Sequence, residues 1–127
     1  MTENEIATEV IDACYRIHTA LGPGLLESVY GATLAYELGK RGLNVVSQRG
    51  IPVVYEDVKL ELGFRIDLLV EGRVIVEVKS VEALADVHFK QVLTYLKLSD
   101  LRLGILVNFN VPRLKDNVRR IINGQVS

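Results

Sequence analysis

The stretch from Phe64 to Lys79 constrains the fold of this chain more than any other. Apolar residues alternate with other residues on both sides of Glu71-Gly72, which is the pattern of two half-buried strands joined by a turn. A loop with an odd number of residues, with Gly72 in the left-handed conformation, keeps the even-numbered apolar residues of both strands on one face. That predicted face comprises Phe64, Ile66, Leu68, Val70, Val74, Val76 and Val78.

The opposite face of the predicted hairpin carries Asp67, Glu77 and Lys79. It also carries Leu69 and Ile75, so we expect the second or the third helix to cover it in part. Two carboxylates in a partly covered cleft repel each other and lose hydration, and a divalent cation is the simplest partner that stabilises them. Oxygen ligands favour Mg²⁺ or Mn²⁺ over zinc. For an isolated Glu-x-Lys, the solvated side of an edge strand is the favoured interpretation, so this motif alone does not establish a metal site.

The rest of the chain supplies helices and strands around this hairpin. Apolar residues at helical spacing, with stops at Gly22-Pro23-Gly24 and Gly42, predict helices, and valine-rich segments predict strands. The interpretation is a mixed α/β fold in the order ααβββαβα. Its predicted elements are a helix over Ile6 to Leu21, a helix over Leu25 to Arg41, extended segments over Leu43 to Leu62 with a turn at Glu56-Asp57, the hairpin, a helix over Leu84 to Leu98, a strand over Leu103 to Val107 and a short helix near Leu114 to Ile122.

Composition bounds the class of protein. A chain of 127 residues that is 49% hydrophobic can bury one core, so we predict a single domain over residues 1–127. The lone Cys14 lies in an apolar-periodic helix, which indicates a buried thiol and a reducing compartment. The chain has no apolar run long enough for a membrane span, and its amino terminus is acidic where a signal peptide is basic. These features predict a cytoplasmic protein without a membrane partner.

Charge gives a weaker indication of a partner. The formal net charge of −1 offers no argument for constitutive nucleic-acid binding. From Lys90 to the end, seven basic residues stand against two acidic ones. This half could supply phosphate contacts, but plain solvated surface is the favoured interpretation.

Taken together, the motifs resemble a known superfamily. Asp67, then Glu77-x-Lys79 on the next strand, then Gln91-x-x-x-Tyr95 on the following helix resembles the core of the PD-(D/E)xK nucleases, with Ile66 where the superfamily's name has proline. The segment from Gly24 to Tyr30 reads G-x-x-E-x-x-Y and resembles the small GxxExxY family of that superfamily. The resemblance runs from about Ile6 to Ile122.

This resemblance implies a restriction-endonuclease-like core, in which helices flank a central mixed sheet. It implies that Asp67, Glu77, Glu27 and the Val78 carbonyl bind Mg²⁺ or Mn²⁺. Lys79 would orient or polarise the attacking water and stabilise the phosphorane, since an ordinary lysine is protonated at neutral pH.

The resemblance also gives roles to residues on the helices. Gln91 would hold a water or a phosphate oxygen, and Tyr95 would support Gln91 or pack. For Tyr95 and Tyr30, an aromatic ring at the core edge is an equal interpretation. For His88, three residues before Gln91, an ordinary surface role is the favoured one.

Three functions remain open at this point. The leading hypothesis is a Mg²⁺-dependent nuclease that hydrolyses phosphodiester bonds of DNA or, second, of RNA. The rival is a non-catalytic or regulatory protein of nuclease fold that binds nucleic acid or a protein, and the third is an interaction module without nucleic acid. Because the chain is small, cutting both strands of a duplex would require a homodimer or a protein partner.

Overall fold

The computed structural model describes the backbone of residues 1–127 and the side chains of residues 1–60 and 63–127. In this described part, the chain forms three helices and five strands in the order ααβββαββ. They are α1 (Glu3–Leu21), α2 (Glu27–Lys40), β1 (Val45–Tyr55), β2 (Val58–Val70), β3 (Val74–Lys79), α3 (Asp86–Ser99), β4 (Leu103–Asn108) and β5 (Val118–Ile122). The predicted mixed α/β architecture is confirmed.

The five strands form one mixed sheet in the order β1-β2-β3-β4-β5. Neighbouring strands are antiparallel except β3 and β4, which are parallel. Parallel neighbours require a crossover connection, and α3 provides it. Strand β1, which contains Pro52, lies at an edge of the sheet, where a missing N–H is tolerated.

Helices cover both faces of this sheet. α1 and α2 pack on one face, against the valines Val74, Val76 and Val78 of β3. α3 packs on the other face, against Ile75. At Gly104 in β4, a Cβ atom would lie 2.7 Å from Val92 Cγ1, so α3 approaches the sheet at a position that suits glycine.

The predicted turns and the buried cysteine are also confirmed. Val70 pairs with Val74, so the β2–β3 loop has an odd number of residues, and Gly72 has a φ of +63°. Tyr55 pairs with Val58 across the turn at Glu56-Asp57. Cys14 is fully buried, and this burial raises the pKa of its thiol to about 12. Among the described residues, no helix is long and apolar enough to cross a membrane.

The prediction of a final helix near Leu114 to Ile122 was wrong. Residues Val118–Ile122 form β5, which pairs antiparallel with β4, while Leu114 packs into the core from the preceding loop. Apolar positions in so short a segment fit either period, and β-branched residues are favoured in strands. This segment forms a strand because it pairs with the edge of β4 that β3 leaves open.

The prediction of one continuous apolar face along β2 was also wrong. Leu68 and Val70 pack against α1 and α2, whereas Phe64 and Ile66 pack with the α3 cluster. The even-numbered side chains of β2 therefore change from one face of the sheet to the other at Asp67. In β1, the residue between the partners of Leu68 and Ile66 is Gln48, whose φ is +54°.

Candidate functional site

The two predicted carboxylates meet where β2 and β3 stop pairing. The backbone ladder between these strands ends at the pair Leu68 and Val76. Beyond that pair, Val78 N–H donates to Asp67 Oδ2 at 2.8 Å, and Asp67 N–H donates to Glu77 Oε1 at 3.3 Å. Each carboxylate therefore bonds the backbone of the opposite strand, and the two side chains lie together at the point where the strands separate.

Glu77 is held in an unusual electrostatic state. Only 3% of this residue is exposed. Burial raises the pKa of its carboxyl group to about 9, and the neighbouring Asp67 adds to the rise, while Lys79 opposes it. In the absence of a cation, Glu77 is therefore mainly protonated at neutral pH. A divalent cation fits such a pair, because it replaces the proton and neutralises both carboxylates.

Lys79 and Gln91 form the next part of the site. Lys79 follows Glu77 by two positions on β3, so both side chains lie on the α3 face of the sheet. Lys79 Nζ donates to Gln91 Oε1 at 3.3 Å. Gln91 therefore fixes the position of the ammonium group beside the carboxylates.

Tyr95 lies one turn after Gln91 on α3. Its ring stacks on Phe64 with the ring centroids 3.9 Å apart and an interplanar angle of 4°. Partial burial raises the pKa of its hydroxyl, and the negative charges of Glu77 and Asp67 raise it further, while a hydrogen bond with Gln91 opposes these effects. Tyr95 thus packs against β2 beside Gln91.

The first turn of α2 brings Glu27 to the carboxyl end of β3. Glu27 Oε2 accepts a hydrogen bond from Ser80 N–H at 3.2 Å, and Ser80 Oγ donates to the carbonyl oxygen of Leu25 at 2.7 Å. These two bonds tie the start of α2 to the residue that follows Lys79.

Tyr30 shapes the loop that delivers Glu27. The tyrosine is fully buried, and its ring stacks on Phe109 with centroids 4.4 Å apart. Its hydroxyl donates to Gly22 O at 2.6 Å and accepts from Leu25 N–H at 3.2 Å. Tyr30 therefore acts through packing and loop geometry.

A cleft with a volume of about 580 Å³ opens between α2 and the sheet. Glu27 and Asp67 both line it, and the other lining residues are Ser28, Gly31, Ala32, Ser47, Gln48 and Leu68. Among the described residues, no three Asp, Glu, His or Cys side chains converge on one point. Asp67 and Glu77 are paired, whereas Glu27 stays bonded to Ser80. Mg²⁺ is commonly held by one or two carboxylates together with water and substrate phosphates, so the pair fits this ion.

Asn108 supports the candidate site, and the sequence reasoning missed it. It ends β4 opposite Lys79, and it is fully buried. Its Oδ1 accepts from Val81 N–H at 3.0 Å and from Asn110 N–H at 3.2 Å, and its Nδ2 donates to Val81 O at 3.0 Å. Asn108 thereby fixes the chain directly after Lys79. The available signal was a polar residue at the end of an otherwise apolar strand.

His88 lies outside this network of site residues. Its Nδ1 accepts a hydrogen bond from Ala85 N–H at 2.9 Å at the beginning of α3. Such a bond satisfies a donor at the helix start.

Comparison with known proteins agrees with this geometry. A family model described as the PD-(D/E)XK nuclease superfamily matches residues 4–121. A comparison with curated proteins gave no match. Because the family match covers nearly the whole chain and the sheet and helices have the restriction-endonuclease-like arrangement, this chain belongs to the PD-(D/E)XK nuclease superfamily.

Proposed function

We propose that this protein is a Mg²⁺-dependent nuclease that hydrolyses phosphodiester bonds, with DNA as the preferred substrate and RNA as the alternative. The observation that carries this proposal is the pair of Asp67 and the buried Glu77 at the open end of the hairpin, with Lys79 on the same face of β3 as Glu77. Membership of the superfamily supports it, since these nucleases generally depend on divalent metal ions.

The residues that would hold the ion are Asp67, Glu77, the Val78 carbonyl and, from the opposite wall of the cleft, Glu27. Mn²⁺ would serve in place of Mg²⁺, because both ions prefer oxygen ligands. A bound ion lowers the pKa of a coordinated water and offsets charge on the scissile phosphate. The chain contributes the buried Glu77 beside Asp67, and the desolvation of Glu77 favours replacement of its proton by a cation.

The remaining side chains have separate roles in this proposal. Lys79 holds a positive charge beside the carboxylates, where it stabilises the negative charge that develops on the phosphorane and orients the attacking water. Gln91 fixes the Lys79 ammonium through their 3.3 Å contact. Tyr95 supports Gln91 while its ring is clamped on Phe64.

We also propose that the chain belongs to the GxxExxY branch of the superfamily. The three motif residues have different structural roles. Gly24 adopts a φ of +103° in the loop before α2, Glu27 reaches Ser80, and Tyr30 anchors the loop. A motif with these roles places a third carboxylate on the wall opposite Asp67.

Metal binding is the first test of the proposed function. Titration calorimetry with Mg²⁺ and Mn²⁺ is carried out on the native protein and on Asp67→Asn combined with Glu77→Gln. The same proteins are then incubated with labelled single-stranded DNA, duplex DNA and RNA. We expect binding and cleavage by the native protein and neither by the double variant.

Glu82→Gln is the matched control, because Glu82 is an exposed acid shortly after Lys79 and takes no part in the site. It should bind the ions and cleave like the native protein. Failure of the native protein to bind either ion at millimolar concentration, with DNA present, would contradict the nuclease proposal. The non-catalytic binding protein of the same fold would then be the better explanation.

A further inference from the structure

Within the described part of the chain, four of the nine arginines have no partner, namely Arg16, Arg49, Arg65 and Arg113, and of these only Arg49 and Arg65 lie in strands of the sheet. Arg49 in β1 and Arg65 in β2 are exposed, and within the described part of the chain neither makes a hydrogen bond or an ion pair. The partnered arginines are Arg41 with Glu37, Glu9 and Asp12; Arg73 with Met1 O; Arg102 with Gln125 O; Arg119 over the Phe89 ring; and Arg120 with Asn4. Arg49 and Arg65 are therefore available for a ligand, and both lie close to Asp67 in the sheet.

Arg65 projects from the cleft side of the sheet. Its neighbours Phe64 and Ile66 both pack toward α3, so the alternation of side chains along a strand places Arg65 on the opposite face. That is the face on which α2 and the cleft lie. Gly50 is the cross-strand partner of Arg65, and a Cβ atom at Gly50 would meet nothing within 4 Å. The space beside Arg65 is therefore open on β1.

Arg49 projects from the other side. It pairs with Ile66, and directly paired residues of antiparallel strands share a face, so Arg49 lies on the α3 face of the sheet. The two arginines thus have the same charge, are both exposed and lie on neighbouring strands, but only Arg65 lies on the face of the cleft. Because Arg49 lies on the face that carries Glu77 and Lys79, a comparison of the two arginines tests which face of the sheet the substrate strand follows.

The cleft itself requires a positive charge if it is to admit a nucleic-acid strand. Its described lining includes the acids Glu27 and Asp67 and contains no lysine or arginine. Without a bound cation, a phosphodiester strand that enters it is repelled by these carboxylates. Arg65 lies two residues before Asp67 on β2, about 7 Å along the strand, which is of the same order as the separation of neighbouring phosphates in a nucleic acid. A guanidinium group also matches phosphate oxygens in geometry and charge.

We propose that Arg65 binds the phosphate next to the scissile phosphate and so sets the position of the substrate strand relative to Asp67. This inference rests on the proposed nuclease function. It assigns the phosphate contacts to the β1–β2 side of the cleft. It does not assign them to the basic carboxy-terminal half, where Arg102, Arg119 and Arg120 have partners within the protein and only Arg113 among the arginines has none in the described part of the chain.

Binding is measured first, without turnover. Fluorescence anisotropy with a labelled single-stranded DNA oligonucleotide, and with its duplex, is recorded at several salt concentrations in the Glu77→Gln background. Arg65→Ala should weaken binding about tenfold and reduce the slope of log affinity against log salt concentration by about one. Arg65→Lys should recover part of the affinity, since lysine keeps the positive charge but lacks the planar set of N–H donors of the guanidinium group. Arg49→Ala should leave the affinity and the slope nearly unchanged.

A modified oligonucleotide then tests which phosphate Arg65 contacts. An uncharged methylphosphonate replaces one phosphate at a time near the cleavage point found with the native protein. Replacement of the neighbouring phosphate should weaken binding in the Arg49→Ala variant but have no further effect in Arg65→Ala. Equal losses in Arg65→Ala and Arg49→Ala, or additive losses from Arg65→Ala and the methylphosphonate, would overturn the inference.

The two proposals fail in different ways. Absence of cleavage by the native protein, with binding that still depends on Arg65 at the single-strand or duplex probe, would refute the nuclease function and leave Arg65 as a nucleic-acid contact. Cleavage by the native protein, with binding and a salt slope indifferent to Arg65, would overturn the role of Arg65 and leave the nuclease function in place.

Discussion

The two faces of β3 show how one strand serves both stability and chemistry. Val74, Val76 and Val78 face α1 and α2 in an apolar cluster. On the opposite face, Ile75 packs in the α3 cluster, while Glu77 and Lys79 bond polar groups of β2 and α3. The apolar part of the α3 face thus lies toward the beginning of the strand and the polar part toward its end, where β2 no longer pairs with it.

This difference separates the expected effects of substitution. A change on the α1/α2 face removes packing, so it should lower the free energy of unfolding. The activity of the molecules that still fold should stay unchanged. A change at the polar end of the α3 face should lower the activity and have little effect on the free energy of unfolding. The burial of Glu77 goes further, because it costs stability whenever this carboxyl group is ionised without a cation.

The largest expected effect lies on the α1/α2 face. Leu34→Ala in α2 removes a fully buried side chain, and it should lower the free energy of unfolding by about 2–5 kcal/mol, measured by urea denaturation. Cleavage per folded molecule should stay close to that of the native protein. Leu98→Ala, at a 42% exposed position, is the control and should change stability by no more than about 0.5 kcal/mol. A loss of cleavage per folded molecule in Leu34→Ala would contradict the assignment of stability to the α1/α2 face and of activity to the α3 face.

The converse effect should appear at Lys79. Lys79→Met keeps the length of the side chain but removes its charge, so we expect kcat to fall by about 10²- to 10³-fold, since this is the typical loss when one group that stabilises the transition state is removed. The free energy of unfolding should change little. Lys90→Met, at an exposed position on α3, should cleave like the native protein. Equal losses of kcat in the two variants would point to a general effect of charge.

A third prediction concerns pH and the metal-free protein. Because burial raises the Glu77 pKa from 4.5 to about 9, the folded state binds more protons than the unfolded state between these values. Stability from this group is therefore fully present below pH 4.5 and is lost as the pH rises toward 9. Glu77→Gln should remove this part of the slope and be more stable than the native protein at pH 8 by about 1–3 kcal/mol.

The measurement is urea denaturation in a chelator across this pH range, with Glu82→Gln as the control that keeps the native slope. Added Mg²⁺ should flatten the slope of the native protein and leave that of Glu77→Gln unchanged. Parallel pH profiles for the native protein and Glu77→Gln in the chelator would show that Glu77 is ionised at neutral pH in the folded state, and would remove the electrostatic contrast between the faces.

The smallest expected effect concerns Tyr30, which packs in the cluster under α1 and α2 and also shapes the loop that positions Glu27. Tyr30→Phe keeps the stack on Phe109 but removes the hydroxyl that bonds Gly22 and Leu25. We expect a loss of about 1 kcal/mol in the free energy of unfolding and a moderate fall in cleavage, because the loop positions Glu27. Tyr36→Phe, at a 70% exposed position, should be neutral in both measurements. A fall in stability without any fall in cleavage would show that Glu27 does not depend on this loop.

The sequence by itself determined the local parts of this protein. Alternation and an odd loop placed Glu77 and Lys79 on one face of β3, and helical spacing located α1, α2 and α3. The order of the motifs was sufficient for the superfamily, which the match over residues 4–121 confirms. These features depend on residues close together in the chain, so the periods of helix and strand report them directly.

Tertiary structure decided what depends on distant partners. Residues Val118–Ile122 became a strand because β4 offered a free edge, and the exchange of faces at Asp67 occurs opposite Gln48. The same is true of the buried contacts of Asn108 and of the side on which Arg65 projects. Pairing between strands and packing of helices on a sheet join residues that are far apart in the chain, and local periodicity carries no information about those partners.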